Sequence, residues 1–416
     1  AHRKWVVGLL AIGWSVAGIA QDPLPWSANR KLAEELSRRR PGINYDEAKV
    51  PAYELPDLLK TSRGTRVTSS AMWVSERRGE LLELFRGEVY GRRPETKYSV
   101  SFQQVSEVTD AFEGAATGRD MVAKVTIGQR SFEFPFVVFI PNKSSGKAPA
   151  VVHLNNRYAL PVKAVLDKHD PFWPVRTLIQ RGYATASFHT SHVDPDKKDG
   201  YSSGIRSFFV DGKPPAEDAW GALSSWGWGA SRVLDYLATV AAIDAKRVAV
   251  SGHSRGGKAS LWAASEDTRF AVAYGNDSGC MGAAISRRQY GETVASIAAA
   301  FPYWFCRNLP KYAGKENELP VDQHELIALI APRAVYVASA DEDLWADPKG
   351  EYGSLLAARP VFDLFGKKVI TVAEMPALGQ ARRVGQTGYH IRTGGHGLED
   401  RDWGFFLDFA DTHLKR

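Results

Sequence analysis

The residues from Val248 to Lys258 have the types and spacing that nucleophilic catalysis requires. They read V-A-V-S-G-H-S-R-G-G-K, an apolar strand, a tight turn and the start of a helix. A serine at such a turn, here Ser254, exposes its hydroxyl, and the glycines beside it let the backbone pass where a side chain would collide. The following N–H and the helix N-terminus point to the place where a tetrahedral oxyanion forms. An ordinary glycine turn is the alternative, but the flanking strand and helix favour the catalytic interpretation.

A serine nucleophile needs a base, and the base needs a carboxylate that orients it. His396 is the predicted base because it lies in a glycine-rich loop between the last predicted strand and the last predicted helix, and His390 is its rival. Asp343, after the penultimate predicted strand, is the favoured carboxylate, and Asp277, one strand earlier, is close behind. Either carboxylate could instead cap a helix or pair with an arginine.

Two basic residues follow the serine. Arg255 is placed to reach a developing oxyanion, and Lys258 lies one helical turn further along. A cleft with two fixed cations suits a substrate that carries hydroxyls and a carboxyl-derived group. The alternative is surface charge on a solvated helix face, which weighs most for Lys258.

Alternating and apolar runs predict the sheet that positions these residues. Three opening strands are expected to be antiparallel, at Tyr98–Val105, Met121–Ile127 and Ser131–Ile140. The later apolar runs are expected to be buried parallel strands, at Ala148–Leu154, Tyr183–Phe188, Val248–Val250, Ala271–Gly275, Arg333–Ala340 and, as the last strand, Lys368–Val372. Helical spacing predicts helices between them and a closing helix at Asp402–His413. The chain order serine, aspartate, histidine predicts an α/β-hydrolase fold, a three-layer sandwich around a mostly parallel sheet.

Two other groups of residues admit more than one interpretation. His189, His192, Asp194 and Asp196 stand close together, but their spacing fits no common metal motif, so we expect a hydrogen-bonded loop and no metal site. Trp226 and Trp228, early in a long predicted helix, suit either core packing or a sugar-stacking platform.

Composition limits the choice of partner and compartment. The chain of 416 residues carries a formal charge of +6 without a Lys/Arg run longer than three residues, so nucleic acid is not the expected partner. Trp5–Ala20 follows two basic residues and predicts a secretory signal cleaved near Ala20, with an uncleaved anchor as the alternative. We therefore expect a signal peptide at 1–20, an N-terminal extension at 21–95 that packs on the core, and a catalytic domain at 96–416, in a secreted or periplasmic protein with no stable membrane association after cleavage. Gln21–Pro51 is expected to be poorly ordered.

The chain contains two cysteines, Cys280 and Cys306. An oxidising compartment would permit one disulfide between them, and buried free thiols are a close second interpretation, because sequence does not give the Cα separation that decides between the two.

Several motifs together resemble the glucuronoyl esterases, a carbohydrate-esterase family (family fifteen) that cleaves esters between the glucuronic acid of xylan and lignin alcohols. The similarity runs from Leu55 to Leu414, and the Ser254-Arg255-x-x-Lys258 signature is its most specific part. The other matching motifs are Leu55-Pro56-Asp57, Val89-Tyr90-Gly91-Arg92, Ser278-Gly279-Cys280-Met281-Gly282-Ala283, Phe301-Pro302-Tyr303-Trp304-Phe305, Ala331-Pro332-Arg333, Asp343-Leu344-Trp345-Ala346-Asp347-Pro348 and Gly395-His396.

The resemblance implies a role for each matching residue. Ser254 would be the nucleophile, Arg255 the oxyanion clamp and His396 the base, while Lys258, Glu292 and Trp345 would contact the uronic acid. Asp277 stands where many members carry glutamate, and its shorter side chain keeps Asp343 first as the orienting acid. Tyr303 stands where bacterial relatives often have histidine. The paired cysteines look like the bacterial branch, which implies a Cys280–Cys306 disulfide.

The resemblance also implies the activity. We expect a serine esterase that hydrolyses the ester between (4-O-methyl-)glucuronic acid of glucuronoxylan and lignin alcohols, acting as a monomer without a metal or an organic cofactor. The alternatives are an acetyl-xylan or general carboxylesterase and, from another class, an inactive hydrolase-fold protein that binds carbohydrate.

Overall fold

The computed structural model describes residues 26–158, 161–210 and 215–415. The predicted signal segment, Trp5–Ala20, lies outside the described residues. The strands, numbered in chain order, are β1 Ser99–Asp110, β2 Ala116–Ile127, β3 Arg130–Pro141, β4 Ala148–Asn155, β5 Ala184–His189, β6 Ile243–His253, β7 Val272–Asn276, β8 Ala334–Ala340, β9 Gln380–Val384 and β10 Thr387–Arg392.

The α-helices are α1 Arg30–Arg39, α2 Ser70–Met72, α3 Arg78–Phe85, α4 Ala111–Gly114, α5 Val162–Asp167, α6 Val175–Gln180, α7 Thr190–Val193, α8 Ile205–Phe209, α9 Ala222–Thr239, α10 Arg255–Glu266, α11 Val294–Ala300, α12 Gln323–Ala328, α13 Pro348–Ala357, α14 Arg359–Leu364 and α15 Asp400–Leu414. Two π-helical segments, Trp73–Arg77 and Arg86–Tyr90, flank α3 and make one longer helical stretch with it. Among the described residues, no helix combines the length and apolar character that crossing a bilayer would require.

The strands form one sheet in the order β1-β2-β3-β5-β4-β6-β7-β8-β10-β9. The opening strands pair antiparallel, as the alternating sequence predicts, and β5, β4, β6, β7, β8 and β10 run parallel to one another. Every residue of β4, β7 and β8 is buried, which fits central strands covered on both faces. The carboxyl ends of the parallel strands meet at one edge of this sheet, where side chains of distant sequence segments come together.

Helices cover both faces of the sheet. On one face, the principal core contains buried side chains of α9, α10 and α12, and on the other a second core contains buried side chains of α6 and α15. Trp226 and Trp228 belong to the principal core at 0% and 3% exposure, so they are core residues and not a sugar-stacking platform. The predicted three-layer α/β-hydrolase architecture is confirmed.

The end of the sheet differs from the prediction. Residues 368–372 form no strand, and the sheet instead finishes with a hairpin of β9 and β10. The apolar character of the 368–372 segment has another cause, because Val369 and Ile370 are buried in the core and the Ile370 N–H donates to the Thr387 hydroxyl at 2.8 Å. His396 still follows the last strand, now β10.

The segment expected to be poorly ordered is well packed from residue 26 onward. It contains α1 and a buried Tyr45, and it forms a small hydrophobic cluster with Tyr290 and Leu344 near the carboxyl edge of the sheet. This packing was not predicted from the sequence, because the segment is mostly polar and only a few of its residues make apolar contacts. Further along, Leu58, Trp73 and Phe85 belong to the principal core.

The disulfide implied by the resemblance is absent. Cys280 and Cys306 are both free and buried. The Cys306 thiol donates to the carbonyl of Gly87 at 3.5 Å, and Cys280 packs in the principal core. The two sulfurs are therefore not bonded to each other. The structure agrees with the second interpretation, two buried free thiols.

Candidate active site

The turn between β6 and α10 holds Ser254 in a conformation that few residues adopt. Its φ is 57° and its ψ −126°, in the region that favours glycine. The Ser254 N–H donates to the Asn276 carbonyl at 2.8 Å, which ties the turn to the end of β7. A Cβ at Gly252 would lie 2.2 Å from the carbonyl oxygen of Gly256, so only glycine fits there. The strained backbone conformation at Ser254 thus holds the serine hydroxyl clear of the sheet.

His396 and Asp343 form a hydrogen bond across 53 residues of chain. The distance from His396 Nδ1 to Asp343 Oδ2 is 2.6 Å. Asp343 follows β8 with a side chain that is 5% exposed, whereas the His396 side chain is 43% exposed. A carboxylate at Nδ1 selects the tautomer that carries the proton there, which leaves Nε2 as the acceptor. The imidazole is thus oriented as a general base.

Asp277 approaches the same imidazole from the end of β7. The ligand atoms of Asp277, Asp343 and His396 all lie within 4.8 Å of one another. Asp277 Oδ2 accepts the N–H of Gly397 at 3.2 Å, and no described residue donates to its Oδ1. Burial raises the pKa of Asp277 well above its ordinary value, and the negative charge of Asp343 adds to this shift. The buried carboxyl is therefore biased toward the neutral form, and Asp343 is the one that bonds the imidazole.

His253, the residue before the serine, packs against His396. Their ring centroids are 4.4 Å apart. The distance between His253 Nδ1 and Asn276 Oδ1 is 2.6 Å, so this nitrogen is the donor. Burial, and next the neighbouring His396, hold the pKa of His253 well below its ordinary value. A neutral ring beside His396 restricts that imidazole without adding charge. In the sequence His253 was only the variable position of the turn motif, so its role gave no signal.

Arg255 is held by a carboxylate and an aromatic cluster. Its Nη1 donates to Asp196 Oδ2 at 2.5 Å, and its guanidinium carbon lies 4.9 Å from the centre of the Trp304 ring. The other oxygen of Asp196 accepts from the Tyr303 hydroxyl at 2.9 Å and from the Trp304 indole at 2.7 Å. Asp196 therefore fixes the position of the guanidinium beside Ser254. The sequence did not show this pairing because the two residues are 59 positions apart.

The loop that carries Asp196 is held by contacts within the protein. Arg206 donates to both oxygens of Asp194, at 2.7 and 2.9 Å, and the rings of His189 and His192 meet edge to face. These bonds are those of the hydrogen-bonded loop that the sequence predicts. Among the described residues, the metal-capable side chains that come close enough to share an ion are those around His396 described above.

Lys258 is buried, and the surface alternative for it is wrong. The residue is 4% exposed, and its ammonium donates to the carbonyls of Ser278 and Cys280 at 2.7 and 2.6 Å. The same ammonium lies 3.3 Å from Glu292 Oε2. These three oxygens use all three ammonium donors, and the bond to Glu292 is the longest of them, so it is the one that a sugar hydroxyl could replace.

Trp345 connects this ion pair to the catalytic loop. It stands two positions after Asp343, and its carbonyl accepts the Glu292 N–H at 2.9 Å. Glu292 and Trp345 thus lie in two adjoining segments, one of which also supplies the acid for His396, and Lys258 reaches them from α10. The rival base, His390, is fully buried in β10, where it bonds Asp402 at 2.8 Å and the Tyr336 hydroxyl at 3.0 Å. It is a satisfied structural residue.

Known proteins share both sequence and fold with this chain. A family model described as "Glucuronyl esterase, fungi" matches residues 123–366. Carbohydrate esterase MZ0003, from an unknown prokaryotic organism, is 36% identical over 90% of this chain and 92% of its own. A 4-O-methyl-glucuronoyl methylesterase of Podospora anserina is 30% identical over 76% of this chain and 61% of its own. The solved structure of a glucuronoyl esterase from Solibacter usitatus superimposes with a TM-score of 0.81 at 36% identity, covering 88% of this chain and 99% of that one. The chain belongs to the glucuronoyl esterase family.

Proposed function

We propose that the protein is a serine esterase that hydrolyses the ester between (4-O-methyl-)glucuronic acid of glucuronoxylan and the alcohol groups of lignin. The observation that carries the proposal is the 2.6 Å bond between His396 and Asp343, beside the strained turn of Ser254. The similarity to a 4-O-methyl-glucuronoyl methylesterase and to a glucuronoyl esterase supports the choice of acyl group.

The reaction proceeds through an acyl-enzyme. His396 Nε2 takes the proton of the Ser254 hydroxyl while the oxygen attacks the C6 carbonyl of the uronoyl ester. Asp343 stabilises the imidazolium that forms. The tetrahedral intermediate collapses as the C–O bond to the alcohol breaks, and His396 returns the proton to the leaving alkoxide. Water then attacks the acyl-enzyme with His396 as base, which releases glucuronate and restores the serine.

Charge on the tetrahedral oxygen is stabilised from the start of α10. The backbone N–H of Arg255 is the first free donor of the helix, and its guanidinium supplies a second, positively charged donor. Asp196 keeps one guanidinium edge occupied at 2.5 Å, so the remaining edge needs little reorganisation when the oxyanion forms.

The sugar ring is bound by the ion pair next to Trp345. Lys258 and Glu292 form a pair that is already desolvated, with side chains 5% and 7% exposed, and a ring hydroxyl can replace the long 3.3 Å bond between them. Pairs of this kind match the hydroxyls of a pyranose, which both donate and accept hydrogen bonds. The energy gained at the ring is available to hold the C6 carbonyl against the serine.

Substrate preference tests the proposal. Initial rates are measured with benzyl glucuronate, p-nitrophenyl acetate and acetylated xylan, using S254A as the inactive control. We expect the highest kcat/KM on benzyl glucuronate. Faster turnover of the acetyl substrates would instead assign a general or acetyl-xylan esterase. Labelling of Ser254 by a fluorophosphonate, absent in S254A, excludes a protein that only binds carbohydrate.

The division of the chain and its export are also proposals. We propose a signal peptide at 1–20, an extension at 21–95 and a catalytic domain at 96–416, in a secreted or periplasmic monomer. The contacts of Leu58, Trp73 and Phe85 with the principal core support the placement of the extension. Amino-terminal sequencing of the exported protein, with Gln21 as the expected first residue, and its elution volume at the monomer mass are the tests.

A further inference from the structure

The segment 29–50, here called the amino-terminal strap, lies against the candidate active site. Tyr45 of the strap packs with Tyr290 and Leu344, and Trp345 joins the same cluster. Leu344 follows Asp343 directly, and Tyr290 stands two positions before Glu292. The strap therefore touches the segments that carry Glu292 and Trp345, two of the three predicted contacts to the uronic acid.

Two strong contacts hold the strap in this place. Glu47 accepts two bonds from Arg288, at 2.8 and 3.0 Å, and Arg288 is itself fixed by Asp347 at 2.8 Å. The Asn44 carbonyl accepts the Gly291 N–H at 2.8 Å. Because Arg288 is 1% exposed, this ion pair is shielded from solvent and screened little by salt. The strap is a fixed part of the cleft.

Arg40, the residue after α1, lies over the ring of Trp345. Its guanidinium carbon is 4.2 Å from the ring centroid. Arg40 is exposed and pairs with no carboxylate in the described part of the chain, whereas its neighbour Arg39 pairs with Glu35 at 2.5 Å. A guanidinium has five N–H donors, and the Tyr45 hydroxyl accepts from one of those of Arg40. A set of donors is thus held in place beside a residue of the sugar site.

Tyr45 adds a second polar group next to Arg40. It is 2% exposed, and its hydroxyl lies beside the Arg40 guanidinium. Burial raises the pKa of Tyr45; the charge of Arg40 and a hydrogen bond from its guanidinium oppose this rise, and Asp343 and Glu292 add smaller increases. The hydroxyl is therefore neutral. Because its oxygen accepts from Arg40, its own proton remains for a ligand oxygen.

From these contacts we infer that Arg40 and Tyr45 form a further part of the sugar-binding site, donating to hydroxyl or ether oxygens of the uronoyl ring. The inference rests on the proposed function and names a specificity determinant that acts on the acyl side of the substrate. The surroundings of Arg255 differ from those of the strap, since they consist of Asp196 and the aromatic side chains of Phe301 and Trp304. The strap therefore contacts the sugar and does not contact the leaving alcohol.

The test varies the two sides of the substrate independently. Values of kcat/KM are measured for R40A, Y45F and the matched control R39A with methyl, allyl and benzyl glucuronate, and with p-nitrophenyl acetate, which has no sugar. We expect R40A to lose about tenfold on all three uronate esters, the equivalent of ~1.4 kcal/mol, and Y45F about fivefold. R39A stays within twofold of wild type, and all three variants retain the wild-type rate on p-nitrophenyl acetate.

Binding gives a second measurement that does not depend on turnover. Isothermal titration of free glucuronate into S254A and into S254A/R40A should show an affinity about tenfold weaker in the double variant. Wild-type kcat/KM on all three uronate esters in R40A and Y45F would overturn the inference, as would a loss confined to the benzyl ester. Failure of the proposed function is separately visible, because wild type itself would then prefer p-nitrophenyl acetate, and the inference would fall with it.

Discussion

The contact between Asp343 and His396 makes a quantitative prediction for the variant D343N. The asparagine keeps the shape of the side chain but removes the charge that stabilises the imidazolium. A hydrogen bond to a charged group contributes about 1.5–3 kcal/mol, which sets a minimum loss of roughly 10- to 150-fold in kcat. Selection of the wrong histidine tautomer adds to this loss, and the same substitution in a serine protease costs about 10⁴.

Asp277 moderates the expected loss. It lies within 4.8 Å of the same imidazole, so it can orient His396 in part when Asp343 is neutral. We therefore expect kcat for D343N to fall about 10³-fold, equivalent to ~4 kcal/mol of transition-state stabilisation. D277N should lose no more than about tenfold, since its carboxyl is biased toward the neutral form. The double variant should lose more than the product of the two single losses, because Asp277 can then no longer compensate for Asp343.

The assay is kcat and kcat/KM on benzyl glucuronate at pH 7.5, with the melting temperature of each variant as the control for folding. The loss in D343N should appear in kcat with little change in KM, because the sugar contacts are untouched. A larger loss in D277N than in D343N would refute the assignment of Asp343 as the orienting acid. A double variant whose loss of kcat equals the product of the two single losses would refute the idea that both carboxyls act on one imidazole.

Three further predictions concern groups around the site. D196A should lower kcat about 10- to 100-fold in the wild-type background but change kcat little in the R255A background, because Asp196 acts by positioning the Arg255 guanidinium. Equal losses of kcat in both backgrounds would contradict this role. K258M should raise KM for benzyl glucuronate at least about tenfold, because the lysine is part of the proposed sugar site. It should also lower the melting temperature, because the carbonyls of Ser278 and Cys280 lose their donor. An unchanged KM would show that the lysine does not contact the sugar. Burial raises the pKa of Glu351 from 4.5 to about 7, so its contribution to stability is complete below pH 4.5 and is lost as the pH rises through about 7. The melting temperature of E351Q should therefore decline less steeply with pH over that range than the melting temperature of wild type. An identical slope in the two proteins would show that Glu351 does not titrate there.

The parts of the fold that were predictable depend on local patterns. The turn at Ser254 was evident because strand, glycines and helix follow one another within a short stretch, and the buried parallel strands were evident from continuous apolar runs. His396 could be chosen because its loop follows the sheet and precedes the closing helix, even though the strand before it was misplaced. The closing hairpin was missed because β9 reads Q-A-R-R-V and is largely polar, while Val369 and Ile370 of the apolar 368–372 segment are buried although that segment forms no strand.

The parts that were not predictable depend on long-range partners. Nothing near Arg255 in the sequence indicates that Asp196 holds it, and nothing near Trp345 indicates that Arg40 lies over it. The choice between Asp343 and Asp277 as the partner of His396 likewise needs coordinates, because both follow strands of the same edge. Burial also decides the state of Lys258, because its position on a helix left a solvated surface charge as an open alternative to the predicted place in the site.

The anchoring of Glu47 by Arg288 has a practical consequence for protein engineering. A shortened protein that begins after residue 50 would lose Glu47, one of the carboxylates that pair with the buried Arg288, together with Arg40 and Tyr45. Trimming the amino end to aid crystallisation would therefore remove one side of the site and a shielded ion pair, and the selectivity of the trimmed protein would differ from that of the whole chain. Affinity tags are therefore better attached behind α15, at the opposite terminus of the polypeptide.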